Sequence, residues 1–205
     1  MARERPEPPT FDLNETVAWR YSNYDTPFWA RANTRHGRWN LSRETPVQYL
    51  TLEPDAAWAE LIRTELLTTE EEVAQVRMPM WVSALNEVVV DYSTFAKAEA
   101  AGFPPDALID DDWTRCQREG ARLRELGYGG VIAPSAALPG AVNVTIFGAR
   151  ILWTWNRQPV LASAIPATTA AVGSPSPGLV ERVRQVGAEH ASYSEYVRVK
   201  SVQRS

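Results

Sequence analysis

The chain of 205 residues has one cysteine, Cys116, two histidines, and only two lysines among its 21 basic residues. A single thiol forms no internal disulfide and no multi-cysteine zinc cage, and two histidines offer little to complete a metal site. No metal and no permanently bound cofactor is expected. Excess positive charge is missing too: 25 acidic against 21 basic residues give a formal charge of -4 and an isoelectric point near 5.3. That balance argues against a dedicated nucleic-acid-binding domain. One unpaired cysteine fits a reducing cytoplasm.

Long apolar runs are also absent. The uncharged stretches 126–149 and 158–180 are interrupted by Pro, Gly, Ser, Thr or Asn, so neither reads as a membrane-spanning helix. The opening MARERPEPPT has no apolar core, and no signal peptide is expected. A Walker loop, a GxGxxG turn, an HExxH pair and a GxSxG elbow are all lacking, which removes the commonest motif-borne chemistries.

What the chain does have is core material: 44% hydrophobic residues, with eight Trp, seven Tyr and five Phe. At roughly 150 residues per domain the length fits one folded unit. Residues 1–10 carry four charges and three prolines and are expected as a mobile arm, followed by one domain over 11–160. Ala, Ser, Thr, Pro and Gly without period suggest a loop or linker over 161–178, and 179–205 reads as a partly helical tail.

Within the domain, strands are expected over 16–21 and 47–52. Pro54 suits a first helical turn, and Ala57, Trp58, Leu61, Ile62 and Leu66 give a helix over 54–67 its apolar stripe. The segment 73–92 reads as a strand pair turning near Asn86, and Ser93 or Thr94 caps a short helix ending at Gly102. Asp110, Asp111 and Asp112 open another helix. Its apolar face holds Trp113, Cys116, Leu123 and Leu126, while Arg115, Arg118, Glu119, Arg122 and Glu125 fall elsewhere, and Gly127 stops it. Cys116 is thus a core residue. Strands over 129–133, 141–147 and 151–155 complete a mixed α+β domain, since strands cluster and helices do not alternate regularly with them. Trp153 and Trp155 share one side of the last strand and read as core.

Two features carry possible chemistry. The segment 31–43 brings Arg31, Arg35, Arg38 and Arg43 together with His36, Gly37 and Trp39. Planar guanidinium forks beside a ring suit a ligand bearing both phosphate and an aromatic system, although a solvated loop has the same composition. Glu60 has Ala56, Ala57 and Thr64 around it on the helix, which leaves room for a ligand; alternatively it is the surface partner of Arg63 at i,i+3.

Taken in order, the pieces Trp19-Arg20-Tyr21, His36-Gly37-Arg38-Trp39-Asn40, Pro46-Val47-Gln48-Tyr49-Leu50 with Glu60 eleven residues after Tyr49, and Pro134-Ser135 with Asn143 eight residues on, resemble the RES-domain family. The resemblance spans roughly 17–155. It implies a fold similar to ADP-ribosyltransferases and a toxin of a bacterial toxin-antitoxin pair that acts on NAD⁺ as substrate. It further implies Arg20 and Arg38 as anion clamps, Tyr21 and Tyr49 as ring neighbours, Glu60 as the acid at the reacting ribose, Ser135 as a polar contact and Asn143 as a support. Glu60, Arg38 and Tyr49 would be the catalytic set. A small helical Xre-type antitoxin would be the partner, with nucleic acid reached only through it; Phe28 and Trp29 are candidate contact points, with core packing the favoured alternative for each. His36 departs from the family pattern, where many members have a second Gly, and 75 residues separate Glu60 from Ser135.

The implied chemistry is cleavage of the nicotinamide-ribose bond, with ADP-ribose passed to water or phosphate. Its transition state resembles an oxocarbenium ion, which a nearby carboxylate stabilises without a metal. A protein ADP-ribosyltransferase and a non-catalytic partner-binding module of the same fold are the alternatives.

Overall fold

A computed structural model describes residues 5–22, 36–41, 46–76, 80–148, 168–171 and 173–203. Among the described residues eight strands form one mixed sheet: β1 (Thr10–Asp12), β2 (Val17–Tyr21), β3 (Val47–Thr51), β4 (Met80–Ala84), β5 (Val88–Asp91), β6 (Gly130–Pro134), β7 (Val142–Phe147) and β8 (Thr168–Ala171). Their order is β1-β5-β6-β7-β3-β2-β4-β8. Among the described strands only β5 and β6 run parallel. Such a pair needs a crossover, supplied by α3 (Phe95–Ala100), a 3-10 turn (Pro105–Leu108) and α4 (Thr114–Glu125). The other helices are α1 (Pro54–Thr64), α2 (Glu70–Gln75), α5 (Leu179–Arg182) and α6 (Ala191–Gln203). Among the described residues no helix is long and apolar enough to cross a membrane.

Alternation along the strands divides the core. Val90, Val131 and Ala133 pack with Phe95, Phe103, Cys116 and Leu123 beneath α3 and α4. Trp19, Tyr21 and Met80 pack with α1 and with Leu179 and Val183 of the C-terminal segment. Ala18, Leu50, Val89, Ile132 and Val144 point the other way. That face is closed by Leu13 and Leu85, whose connections run side by side through Leu85 N–H to Thr16 O at 2.8 Å and Leu13 N–H to Glu87 O at 2.9 Å.

The α+β reading holds, as do the strands near 17–21, 47–51, 130–134 and 142–147. Several expectations are corrected. The segment 73–92 is not a strand pair: it begins inside α2, and β4 and β5 lie in different parts of the sheet, with β6, β7, β3 and β2 between them. Sequence proximity suggested a hairpin, whereas both strands find non-local partners. The missed helix α2 carries a capping box, in which Thr69 accepts from Glu72 N–H and Glu72 reaches back. α1 stops three residues short of 67 because Leu66 enters the left-handed region at φ 54° and Leu67 N–H bonds Ile62 O at 2.9 Å. This is a Schellman termination made without glycine, so no residue announces it.

On α4 the polar and apolar assignments partly exchange. Leu126 is exposed and Trp113 is a half-exposed N-cap residue, while Glu119 is buried beside Cys116 and Leu123. Glu119 is tolerated there because Tyr92 Oη donates to it at 2.7 Å and Arg122 and Arg5 pair with it. Burial opposes its charge, but the bonds from Arg122 and Tyr92 outweigh it and hold the carboxyl below its usual range. Arg5 belongs to the stretch expected as a mobile arm, and Asp91 N–H bonds Pro9 O at 2.7 Å, so structure begins earlier than Phe11. β8 likewise forms inside the stretch read as linker. The strand expected over 151–155, with Trp153 and Trp155, and residues Phe28, Trp29, Arg31, Arg35 and Arg43 lie outside the described residues.

Candidate functional site

Glu60 owes its position to α1. Pro54 sits in the first turn, Asp55 complements the positive end of the helix dipole, and Ala56, Ala57, Trp58, Ala59, Leu61 and Ile62 are buried. The helix is therefore packed on most sides, and Glu60 is held half-buried between its core faces. Arg63 is not its hydrogen-bonded partner: that guanidinium pairs with Asp111. Glu60 instead accepts from two residues of the β6–β7 hairpin. Ser135 Oγ donates to Oε1 at 3.2 Å and Asn143 Nδ2 to the same oxygen at 2.7 Å.

Each donor is fixed by the hairpin. Asn143 lies on β7, flanked by Ala133 on β6 and Thr51 on β3. Ser135 follows β6, and its Oγ accepts from Ala137 N–H at 3.2 Å and Leu138 N–H at 3.1 Å. A hydroxyl has two acceptor sites and one proton. With both acceptor sites taken, the proton goes to Glu60. Both donors converge on Oε1, and no bond to Oε2 occurs among the described residues. Tyr21 completes this group. Its phenol is raised above the ordinary value first by burial and then by the charge of Glu60.

Arg38 sits on a separate support, the turn closed by the Gly37–Asn40 bridge. The buried Tyr49 hydroxyl accepts from Trp39 N–H at 2.9 Å and donates to Asn40 Oδ1 at 2.6 Å. A Cβ at Gly37 would lie 2.3 Å from that hydroxyl, and one at Gly120 would lie 2.4 Å from Trp39 O. The two glycines let β3 and α4 press against the turn. Arg38 then donates to Asp110 O at 2.8 Å and stands over the Trp113 ring at 5.9 Å. An open pocket of about 360 Å³ borders this support, lined by His36, Leu41, Asp111, Asp112, Trp113, Thr114 and Gln117.

The structure thus brings Glu60, Ser135, Asn143 and Tyr21 together and joins Arg38 to Tyr49 on a neighbouring support. Arg63, one turn on from Glu60 in α1, pairs with Asp111, which lines the pocket beside the Arg38 turn. Arg20 stands apart. It alternates with Tyr21 on β2 and donates to Gln48, whose neighbour-but-one Leu50 packs on the opposite sheet face.

Sequence reasoning missed Asp111, Arg184 and His190. Asp111 binds Arg63 and Arg184 and accepts from Gly187 N–H at 2.6 Å, and His190 Nε2 lies 3.0 Å from Ser135 O. The acidic triplet precedes α4 rather than forming its first turn: Trp113 is the N-cap and the first turn holds no acidic residue, although Asp112 Oδ1 accepts from Thr114 N–H at 2.9 Å. That local role hid the long-range role of its middle member.

Fold and site define a mixed α+β domain with a helix-borne carboxylate held by two hairpin donors and flanked by arginines. The chain belongs to the RES domain family, whose model matches residues 17–156. The probable NAD(+) phosphorylase Rv3189 of Mycobacterium tuberculosis is 28% identical over 132 residues, covering 58% of this chain and 63% of that protein. The chain therefore spans less than two thirds of that relative's length. The fold is similar to that in the crystal structure of the M. tuberculosis MbcT-MbcA toxin-antitoxin complex, with a TM-score of 0.59 and 23% identity over 85% of this chain and 91% of that one.

Proposed function

We propose that this protein consumes NAD⁺ by breaking the nicotinamide-ribose bond and passing ADP-ribose to inorganic phosphate or water. The observation that carries the reading is the Glu60 carboxylate, tied through one oxygen to Ser135 and Asn143 while the other makes no bond among the described residues. As nicotinamide leaves, positive charge develops on the ribose, and a preorganised carboxylate stabilises it without reorganising at that moment. The Tyr21 phenol lies within the field of the Glu60 charge, and Arg38, on the turn braced by Tyr49, is the proposed clamp on the pyrophosphate. Arg20, on the other strand face, contributes through Gln48 and its charge beside Tyr21. The name of the mycobacterial relative supports phosphate as acceptor. Similarity to the toxin of a toxin-antitoxin complex supports a protein partner that masks the site, and a small helical Xre-type antitoxin is the proposed form of it.

Purified protein incubated with NAD⁺ is expected to release nicotinamide, faster with phosphate than without, and to yield ADP-ribose 1″-phosphate when phosphate is present. Labelling of proteins in a lysate without free product would favour protein ADP-ribosylation instead. Binding of NAD⁺ without nicotinamide release would leave only the non-catalytic module.

A further inference from the structure

We infer that His190, in the segment that follows the matched residues 17–156, is a positioning residue for Ser135 and through it for Glu60; as a contribution to turnover, this rests on the proposed NAD⁺ cleavage. His190 is buried, and both ring nitrogens are engaged. Nδ1 faces the N–H of Tyr193 at 3.2 Å. A backbone N–H only donates, so Nδ1 holds a lone pair and the proton resides on Nε2, which donates to Ser135 O at 3.0 Å. The same residue starts α6: its carbonyl accepts from Tyr193 N–H at 2.9 Å and Ser194 N–H at 3.0 Å. The Phe95 ring meets the imidazole edge-on at 5.9 Å.

The C-terminal segment grips the Ser135 turn at a second point, through Arg184 N–H to Ala137 O at 2.8 Å. Backbone and side chain of Ser135 are thus each held, by His190 on its carbonyl and by Ala137 and Leu138 N–H on its hydroxyl. The hydroxyl proton is left pointing at Glu60. A second proton on the ring would fall on Nδ1 against Tyr193 N–H, and burial first, then the charges of Arg184 and Arg63, disfavour it. His190 acts here as a neutral strut.

The test compares His190→Leu, which removes the donor, with His190→Gln, which keeps one. The Leu variant is expected to lose on the order of tenfold in kcat with KM for NAD⁺ little changed, and the Gln variant to recover most of it. Amide exchange at Ala137 and Leu138 is expected to speed up in the Leu variant, a readout that needs no turnover. The protein has only two histidines, so nitrogen NMR of the imidazoles, assigned with a His36→Gln variant, reads the Nε2–H form directly in the wild type. A folded Leu variant with unchanged kcat and unchanged exchange, or an Nδ1–H tautomer, would overturn the inference. If the wild type releases no nicotinamide, the proposed reaction fails, while tautomer and exchange still decide whether His190 braces Ser135. Should the Leu variant not fold, the Gln variant and the wild-type spectrum decide.

Discussion

Asn143 and Glu60, 83 residues apart in the chain, meet through a 2.7 Å hydrogen bond from Nδ2 to Oε1, the same oxygen that Ser135 reaches. Asn143 Oδ1 is buried with no partner among the described residues, and there the amide is oriented by this one bond. Glu60→Gln retains an oxygen to accept from both donors and removes the charge. NAD⁺ is expected still to bind, with cleavage slowed by on the order of 10² to 10³, as when one preorganised electrostatic group is lost. Nicotinamide release by the folded variant at the wild-type rate would take Glu60 out of the chemistry.

Arg38 and Tyr49 are expected to separate binding from stability. Arg38→Ala removes a charged donor from the pyrophosphate, which should weaken NAD⁺ affinity by about ten- to a hundredfold with a smaller change in turnover at saturation. Tyr49→Phe leaves Trp39 N–H and Asn40 Oδ1 without their shared hydroxyl. A loss of about 1 to 3 kcal/mol in stability is expected, together with weaker affinity as the Arg38 turn loosens. Calorimetric binding and thermal melts on both variants distinguish the two effects.

The helix α1 and the strands that carry Tyr49 and Asn143 were legible in sequence because apolar periods and turn residues report local structure, whereas Glu60, Ser135 and Asn143 were drawn together only by the resemblance to the RES-domain family. Long-range pairing was not legible. Nothing local tells β4 to join β2 and β8 while β5 joins β1 and β6, and nothing around Glu119 announces that Tyr92, Arg122 and Arg5 will make its burial tolerable. Arg63 is the sharpest case. Its i,i+3 spacing from Glu60 suggested an exposed pair, yet tertiary packing turned it toward Asp111, 48 residues on.

Cys116 is expected to be dispensable for chemistry. It is fully buried among Leu108, Leu123 and Phe103, its thiol bonds Ala107 O at 3.1 Å, and burial pushes its pKa up to about 11. A thiolate is therefore scarce at neutral pH. Cys116→Ala should lower stability by about 1 to 2 kcal/mol and leave kcat unchanged, and alkylating reagents should label the native protein slowly. Loss of turnover in a variant that melts like the wild type would point to a thiol mechanism.

Asp111 holds two arginines that are themselves nearly buried, with side-chain exposures of 10% for Arg63 and 7% for Arg184 against 27% for the carboxylate. Asp111→Asn leaves two buried cations without their counter-charge and is expected to destabilise by about 3 kcal/mol, the lower end for breaking a buried pair because the carboxylate is partly hydrated. The loss should not be uniform with pH. Burial raises the pKa of Asp111, but Gly187 N–H, Arg184 and Arg63 outweigh it and hold the group below its ordinary value of 3.8. A carboxyl with a depressed folded pKa binds fewer protons folded than unfolded. Its stabilisation is therefore complete above pH 3.8 and is lost as pH falls through the depressed value. Wild type and Asp111→Asn should differ most in melting temperature near neutrality and converge in acid, and a difference that stays constant down to the point of acid unfolding would mean that the carboxylate charge is not what holds Arg63 and Arg184.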